Sequence, residues 1–230
     1  MQVKDIMTPD VVTVSPRTSI EQVATLLLEK RISAVPVVTK NNKIVGIVSE
    51  GDLAHRLDED IQRDRSWWLK MVSTKDTDYF EYIKTHGRHA EDVMTKNVVT
   101  VDEEMCISEV AHLLETRHIK RVPVVREAKL CGIVSRANLL QALVSGKKEL
   151  TNPTSNDREL REAIYQEINS HQLTSHGGLN VIVEKGEVEL WGWIESEPER
   201  QALMLAAREV NGVNQVHDHL GTVAPWIWNT

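Results

Sequence analysis

Residues 5–53 read DIMTPDVVTVSPRTSIEQVATLLLEKRISAVPVVTKNNKIVGIVSEGDL, and residues 92–140 read DVMTKNVVTVDEEMCISEVAHLLETRHIKRVPVVREAKLCGIVSRANLL. Met7 aligns with Met94, Thr13 with Thr100 and Pro36 with Pro123, all at an offset of 87; one residue lost in the second turn brings Gly46 onto Gly132 at an offset of 86. An internal repeat of this length predicts two copies of one supersecondary unit, each of which needs a neighbour to bury its apolar face. Two related units meeting face to face create paired clefts, and function is expected there.

Within each copy the local signals alternate between strand and helix. VVTV is a short β-branched run, followed by a helix start at Thr18-Ser19 with Glu21 and Gln22 in capping-box range. Ile20, Val23, Ala24 and Leu27 then recur at i, i+3, i+4 and i+7, as do Ile107, Val110, Ala111 and Leu114 in the second copy. AVPVV and KIVGIVS follow as apolar strands around the turn Thr39-Lys40-Asn41-Asn42, and Ser49 is placed to cap a second helix. The order is β-α-β-β-α, twice, and continuous apolar strands imply a sheet covered on both faces.

Bulk properties narrow the class. The 230 residues are 41% hydrophobic, which suits a chain with a proper core. No apolar run approaches the roughly 18 residues that span a bilayer, and MQVKDIMTPD lacks the basic flank and apolar stretch of a secretory leader, so a cytoplasmic location is expected. Cys106 and Cys131 are the two cysteines; their place in apolar repeat positions predicts buried, reduced thiols. Charge is unevenly spread. Residues 151–230 hold 5 basic and 12 acidic side chains and so carry the whole net charge of −7. A nucleic-acid or anionic-lipid binder concentrates positive charge instead, so no nucleic-acid partner is expected.

The repeated DIMT/DVMT, VPVV (Val35–Val38, Val122–Val125) and GIVS-x-x-[DN] (Gly46–Asp52, Gly132–Asn138) resemble the cystathionine-β-synthase (CBS) domain, and two copies resemble the tandem pair called a Bateman module. The resemblance implies an adenosine-containing ligand held between the repeats. On that reading Ser49 and Asp52, with Ser135 and Asn138 in the second copy, contact ribose. A carboxylate can accept hydrogen bonds from two vicinal hydroxyls, Asn binds without the charge, and Gly46 lets ligand and backbone approach closely. The alternative makes Asp52 and Asn138 plain helix caps. Lys120 and Arg121, replacing the small Ser33-Ala34 of the first copy, are the phosphate candidates, with His118 and Arg31 further out; a solvated basic edge is the rival. Thr13, Val14, Ile32, Ser33, Ala34, Thr100, Val101 and Ile119 would form the adenine pockets, the Thr-Val pairs through backbone groups.

The repeats account for residues 1–53 and 90–146. Between them, 54–89 is too long and too patterned for a connector and reads as a helical insertion: a helix to Met71, another over Tyr79–Thr85, and Trp67-Trp68 docked rather than free. His86 and His89 lack ligand companions and read as structural. A polar linker, 147–156, marks a domain boundary. Beyond it, Leu160, Ile164 and Ile168 line a helix; LNVIVEKGEVELWGWIE reads as a hairpin around Lys185-Gly186. A helix opening at Ser196-Glu197-Pro198-Glu199 carries Leu203, Ala206, Ala207 and Val210 and stops at Asn211-Gly212, and VNQVHDHL is a last strand. This α-β-β-α-β order over 157–223, with Gly192 in the hairpin and Val210–Val213 after the helix, resembles the BON domain, and 224–230 is left as a tail. The BON resemblance implies attachment to phospholipid or protein, often in the bacterial periplasm, and the acidity of this copy disfavours anionic lipid. Trp191 and Trp193 share one side of their strand, with Trp226 and Trp228 repeating the spacing. These rings either pack together or form a partner patch. His217 and His219 read as a strand pair.

The expected fold class is therefore α+β: two pseudo-symmetric β-α-β-β-α CBS repeats plus a small α-β-β-α-β BON-like domain. No Ser/His/Asp order, phosphate loop or zinc-ligand cluster supports catalysis, and no cofactor is required. The leading expectation is a homodimeric regulatory module whose clefts sense AMP, ADP or ATP and pass the signal to the BON-like domain or to an unidentified protein partner. A non-sensing scaffold with vestigial clefts and a lipid-surface adaptor are the alternatives.

Overall fold

The computed structural model describes residues 1–54, 87–145, 153–174 and 178–222. The helices expected across the insertion, with Trp67, Trp68 and His86, lie outside the described residues, as do most of the linker and Trp226 and Trp228. The chain divides into two compact units, Val12–Val98 and Met1–Val11 with Val99–Thr230.

In the first unit Ser19 caps α1 (Ile20–Lys30) through the expected box: Gln22 N–H donates to Ser19 Oγ at 3.2 Å, and Ser19 N–H to Gln22 Oε1 at 3.1 Å. Val23 and Leu27 are the buried positions of that helix. Arg31 closes it in the left-handed region at φ 51° and turns the chain into β1 (Ala34–Val38), which pairs antiparallel with β2 (Ile44–Ser49). VVTV contributes less than a strand. It joins β1 by one bridge, Val14 to Val37. The chain then enters α2 (Glu50–Ala54) and is described again from residue 87, leading into α3 (Ala90–Val93).

The second repeat runs β3 (Val101–Asp102), α4 (Ile107–Thr116), β4 (Arg121–Arg126), β5 (Lys129–Ser135) and α5 (Arg136–Ser145). β3 lies parallel to β4, and β4 antiparallel to β5. The register shift between Val124 and Val125 repeats the one between Val37 and Val38, as expected of duplicated units. Cys106 departs from expectation. It stands where Ser19 stands in the first copy, at the helix N-cap, and that position faces solvent; Cys106 is exposed and Cys131 half-buried. A hydrogen bond from Ser108 Oγ at 3.2 Å holds the Cys106 thiol below its usual range, and burial pushes Cys131 up.

The units do not follow the repeats. Thr95 pairs with Ile47 through two backbone bonds of 2.9 and 3.1 Å, so the DVMT leader of the second repeat finishes β2 of the first. Thr8 pairs with Ile133 through two bonds of 3.0 Å, so the DIMT leader of the first repeat finishes β5 of the second. This exchange explains the two glycines. A Cβ on Gly46 would stand 2.2 Å from Met94 Sδ and 2.9 Å from Met94 Cβ, and one on Gly132 would stand 2.4 Å from Met7 Sδ. At Gly46 the leader methionine makes a close approach.

The BON-like segment has the expected order: α6 (Ser155–Ser170), β6 (Asn180–Glu184), β7 (Glu187–Ile194), α7 (Glu197–Glu209) and β8 (Gln215–Thr222). Lys185 (φ 54°) and Gly186 (φ 75°) both adopt positive φ, the two-residue turn whose twist suits a hairpin. β8 adds parallel to β7. The Ser196 box is modified: Glu199 N–H donates to Ser196 Oγ at 3.3 Å, but the Glu199 carboxylate takes the N–H of Glu195 at 2.8 Å. One sheet face buries Val181, Val183, Val188 and Leu190 under α6 and α7. From the other face Ile182 and Trp191 join the core of the second repeat, beside Ala142 and Leu139 of α5.

Candidate functional site

The Ser-x-x-[DN] segment stands where a strand runs straight into a helix, so the serine is both the last strand residue and the cap. In the first repeat Asp52 Oδ2 accepts from Ser49 N–H at 3.0 Å and Ser49 Oγ at 2.7 Å, and Asp52 is 9% exposed. β1 begins opposite: Ala34 is the register partner of Ser49, and Ser33 O accepts from Glu50 N–H at 3.0 Å. Ser33, Ala34, Ser49 and Asp52 are therefore brought together.

The second repeat copies this geometry with different chemistry. Asn138 Oδ1 accepts from Ser135 N–H at 2.8 Å and Ser135 Oγ at 2.6 Å; Arg121 faces Ser135 in register, and Lys120 O accepts from Arg136 N–H at 3.1 Å. The amide then does something a carboxylate cannot. Its Nδ2 donates to Ile6 O at 3.2 Å and lies 3.5 Å from Thr8 Oγ1. Asn138, 6% exposed, has protein partners on both ends of its amide. It closes the box at the start of α5 with Ser135 and anchors the leader. Lys120 is exposed and Arg121 half-buried.

The adenine-pocket residues separate into two groups. Val14 N–H donates to Pro36 O at 3.1 Å and its carbonyl accepts from Val38 N–H at 2.9 Å, and its side chain is 7% exposed. Both backbone groups of Val14 are thus engaged in the ladder with β1. Val101 pairs with Val124 in the same way and is 2% exposed. Thr13, half-buried, and Thr100, exposed, flank these contacts, about 10 Å along the strand from Ala34 and Arg121. Ile32 and Ile119 donate their N–H groups to Leu27 O and Leu114 O at 3.0 and 3.1 Å and pack on the two repeat cores.

Sequence reasoning missed the leader's partners in the BON-like segment. Arg158 Nε donates to Asp5 Oδ1 at 2.8 Å, and Asn169 Nδ2 to Asp10 Oδ2 at 2.9 Å. Arg161, 9% exposed, donates to Val181 O at 2.7 Å and to Met7 O, with its guanidinium 5.0 Å from the Tyr165 ring centre. A buried Arg on an otherwise apolar helix face was the available signal, but its targets are backbone carbonyls and leave no mark in sequence. Trp191 stacks on His219 at 3.9 Å, while Trp193 is 63% exposed. His217 and His219 pair with Glu187 and Glu189 across β7 and β8. Among the described residues no three His, Cys, Asp or Glu side chains converge on a metal position, and no helix is long and apolar enough to cross a membrane.

The chain belongs to the CBS domain family, with CBS domains at residues 3–59 and 90–145 and a BON domain at 156–224. It is 33% identical over 162 residues to the chloroplastic CBS domain-containing protein CBSX2 of Arabidopsis thaliana, covering 66% of this chain and 67% of that protein. It is also 33% identical over 155 residues to an uncharacterized protein of Methanocaldococcus jannaschii, covering 63% and 92%. The solved structure of CBSX2 in complex with AMP matches with a TM-score of 0.55 at 31% identity, over 64% of this chain and 99% of that one.

Proposed function

We propose that this chain is a regulatory CBS-pair protein, without catalytic activity of its own, that binds an adenosine-containing nucleotide and passes its occupancy to the BON domain. The observation that carries the reading is the likeness to CBSX2 in complex with AMP, supported by the Ser49–Asp52 cluster beside the small Ser33-Ala34 edge. Ribose is assigned to Ser49 and Asp52. Lys120 and Arg121 are assigned to phosphate, and Ser135 offers a second hydroxyl beside them. Asn138 serves the second repeat as an anchor first and as a ribose contact only secondarily. A homodimer, a cytoplasmic setting and a protein partner complete the proposal; the acidity of 151–230 weighs against anionic lipid and nucleic acid.

Isothermal titration of nucleotide-free protein with AMP, ADP, ATP, NAD and S-adenosylmethionine tests it, with AMP expected to bind. No heat from any of the five would sink the sensing role and leave the scaffold reading. Asp52→Ala is expected to weaken AMP by about 10- to 150-fold, the worth of a charge-assisted hydrogen bond of roughly 1.5–3 kcal/mol. An unchanged affinity would return Asp52 to capping alone.

A further inference from the structure

The BON domain meets the rest of its unit along two seams of opposite quality. Along the leader the polar contacts are matched: Arg158 with Asp5, Arg161 with Met7 O and Asn169 with Asp10. Along α5 the apolar packing of Ile182 and Trp191 comes with three buried polar atoms that have no hydrogen-bond partner among the described residues. These are Ser145 Oγ at the end of α5, Asn180 Oδ1 at the start of β6, and Trp191 Nε1 on β7. Asn180 and Trp191 are register partners, so two of the orphans sit side by side. Across this seam Asn180 Nδ2 donates to Gln141 Oε1 at 2.8 Å.

A buried polar group without a partner opposes the state that buries it, whereas water satisfies it once the surface opens. The hydrophobic area of Ile182 and Trp191 favours closure and the three orphans oppose it; the leader seam has no such conflict. Local opening follows the weaker seam. We infer that the BON domain docks reversibly on the second repeat, its sheet face leaving α5 while α6 stays clamped to the leader through Arg158 and Arg161. The leader, which Asn138 ties to the second repeat from the other side, is then the pivot. This inference stands on packing alone and does not depend on the identity of the ligand.

Adjacent residues of β6 provide the test, because they point to opposite faces. Ile182, 1% exposed, faces the second repeat, and Val181, 0% exposed, faces the domain's own core. Ile182→Cys and Val181→Cys are introduced separately into the full chain, and alkylation by iodoacetamide under native conditions is followed peptide by peptide, which separates the new thiol from Cys106 and Cys131. Undocking predicts labelling at position 182 at least tenfold faster than at 181. Adding Ser145→Ala, which removes one orphan without changing shape, should slow labelling at 182 by about tenfold and leave 181 unchanged. Equal rates at the two positions would mean that the seam opens only when the domain unfolds, and would overturn the inference. Faster labelling at 182 on adding Ser145→Ala would overturn it equally. If Ile182→Cys fails to fold, Ala142→Cys, 0% exposed on the α5 side of the same seam, takes its place with the same two expectations.

Discussion

Asn138→Asp exchanges one NH2 for an oxygen and leaves the rest of the side chain in place. Half of the amide's role survives the change. Asp52 shows that a carboxylate accepts the serine N–H and hydroxyl at 3.0 and 2.7 Å, as Asn138 does at 2.8 and 2.6 Å. The other half does not, because Nδ2 stands 3.2 Å from Ile6 O and the variant would set oxygen against oxygen. An unpaired buried carbonyl costs about 1–3 kcal/mol, and a negative charge in the first turn of α5 returns about 0.3–1 kcal/mol. The net loss at neutral pH is about 1–2 kcal/mol. The new carboxyl is buried against a carbonyl, so its folded pKa lies above the unfolded value of about 3.9. Its protonated form can donate to Ile6 O. Stability tied to that proton is present in full below the unfolded pKa and is lost as pH rises through the folded one. Urea unfolding followed by circular dichroism should therefore find variant and parent close at about pH 4 and separated at about pH 7. A variant as stable as its parent at neutral pH, or a gap that widens on acidification, would refute the role given to the Asn138 amide.

Gly46→Ala is expected to cost about 1–3 kcal/mol by overpacking Met94, and Met94→Ala in the same chain should recover part of that loss. Strictly additive losses in a double-mutant cycle would show that the thioether is not what fills the space. Asp157 completes the capping box of Thr154 at the start of α6 from a buried position; burial works to raise its pKa, but hydrogen bonds from Thr154 and from the Gly186 N–H hold it below the ordinary carboxylate range. The stability it contributes is present above about pH 3.9 and lost as pH falls through its lower folded value, so Asp157→Asn should flatten the acid limb of a stability–pH profile. An equally steep limb in the variant would assign the acid sensitivity elsewhere.

Local signals in this chain were legible where the interaction that makes an element is itself local. Ser19 with Gln22, the apolar spacing of Val23 and Leu27, the Lys185-Gly186 turn and the α-β-β-α-β order all concern residues within a few positions of one another. Cys106 shows the limit of the same logic: its repeat position suggested an apolar site, but an N-cap faces water whatever residue fills it. VVTV shows another, since a β-branched run becomes a strand only to the extent that a neighbour offers it a ladder, and here that is one bridge at Val14.

The duplicated sequence determined by itself that there are two units of one kind, where their strand-to-helix junctions fall, and that the junctions differ as Asp52 and Asn138. It could not determine which leader completes which unit. DIMT and DVMT are nearly identical, so either would fit either glycine, and the choice rests on chain connectivity and packing between distant residues. Only the tertiary structure places Met94 on Gly46 and Met7 on Gly132, and sets Arg158 and Arg161 on the leader beside them. The difference between Asp52 and Asn138 thereby acquires a physical reason in the second repeat: the leader presents a carbonyl there, and an amide can donate to it where a carboxylate cannot.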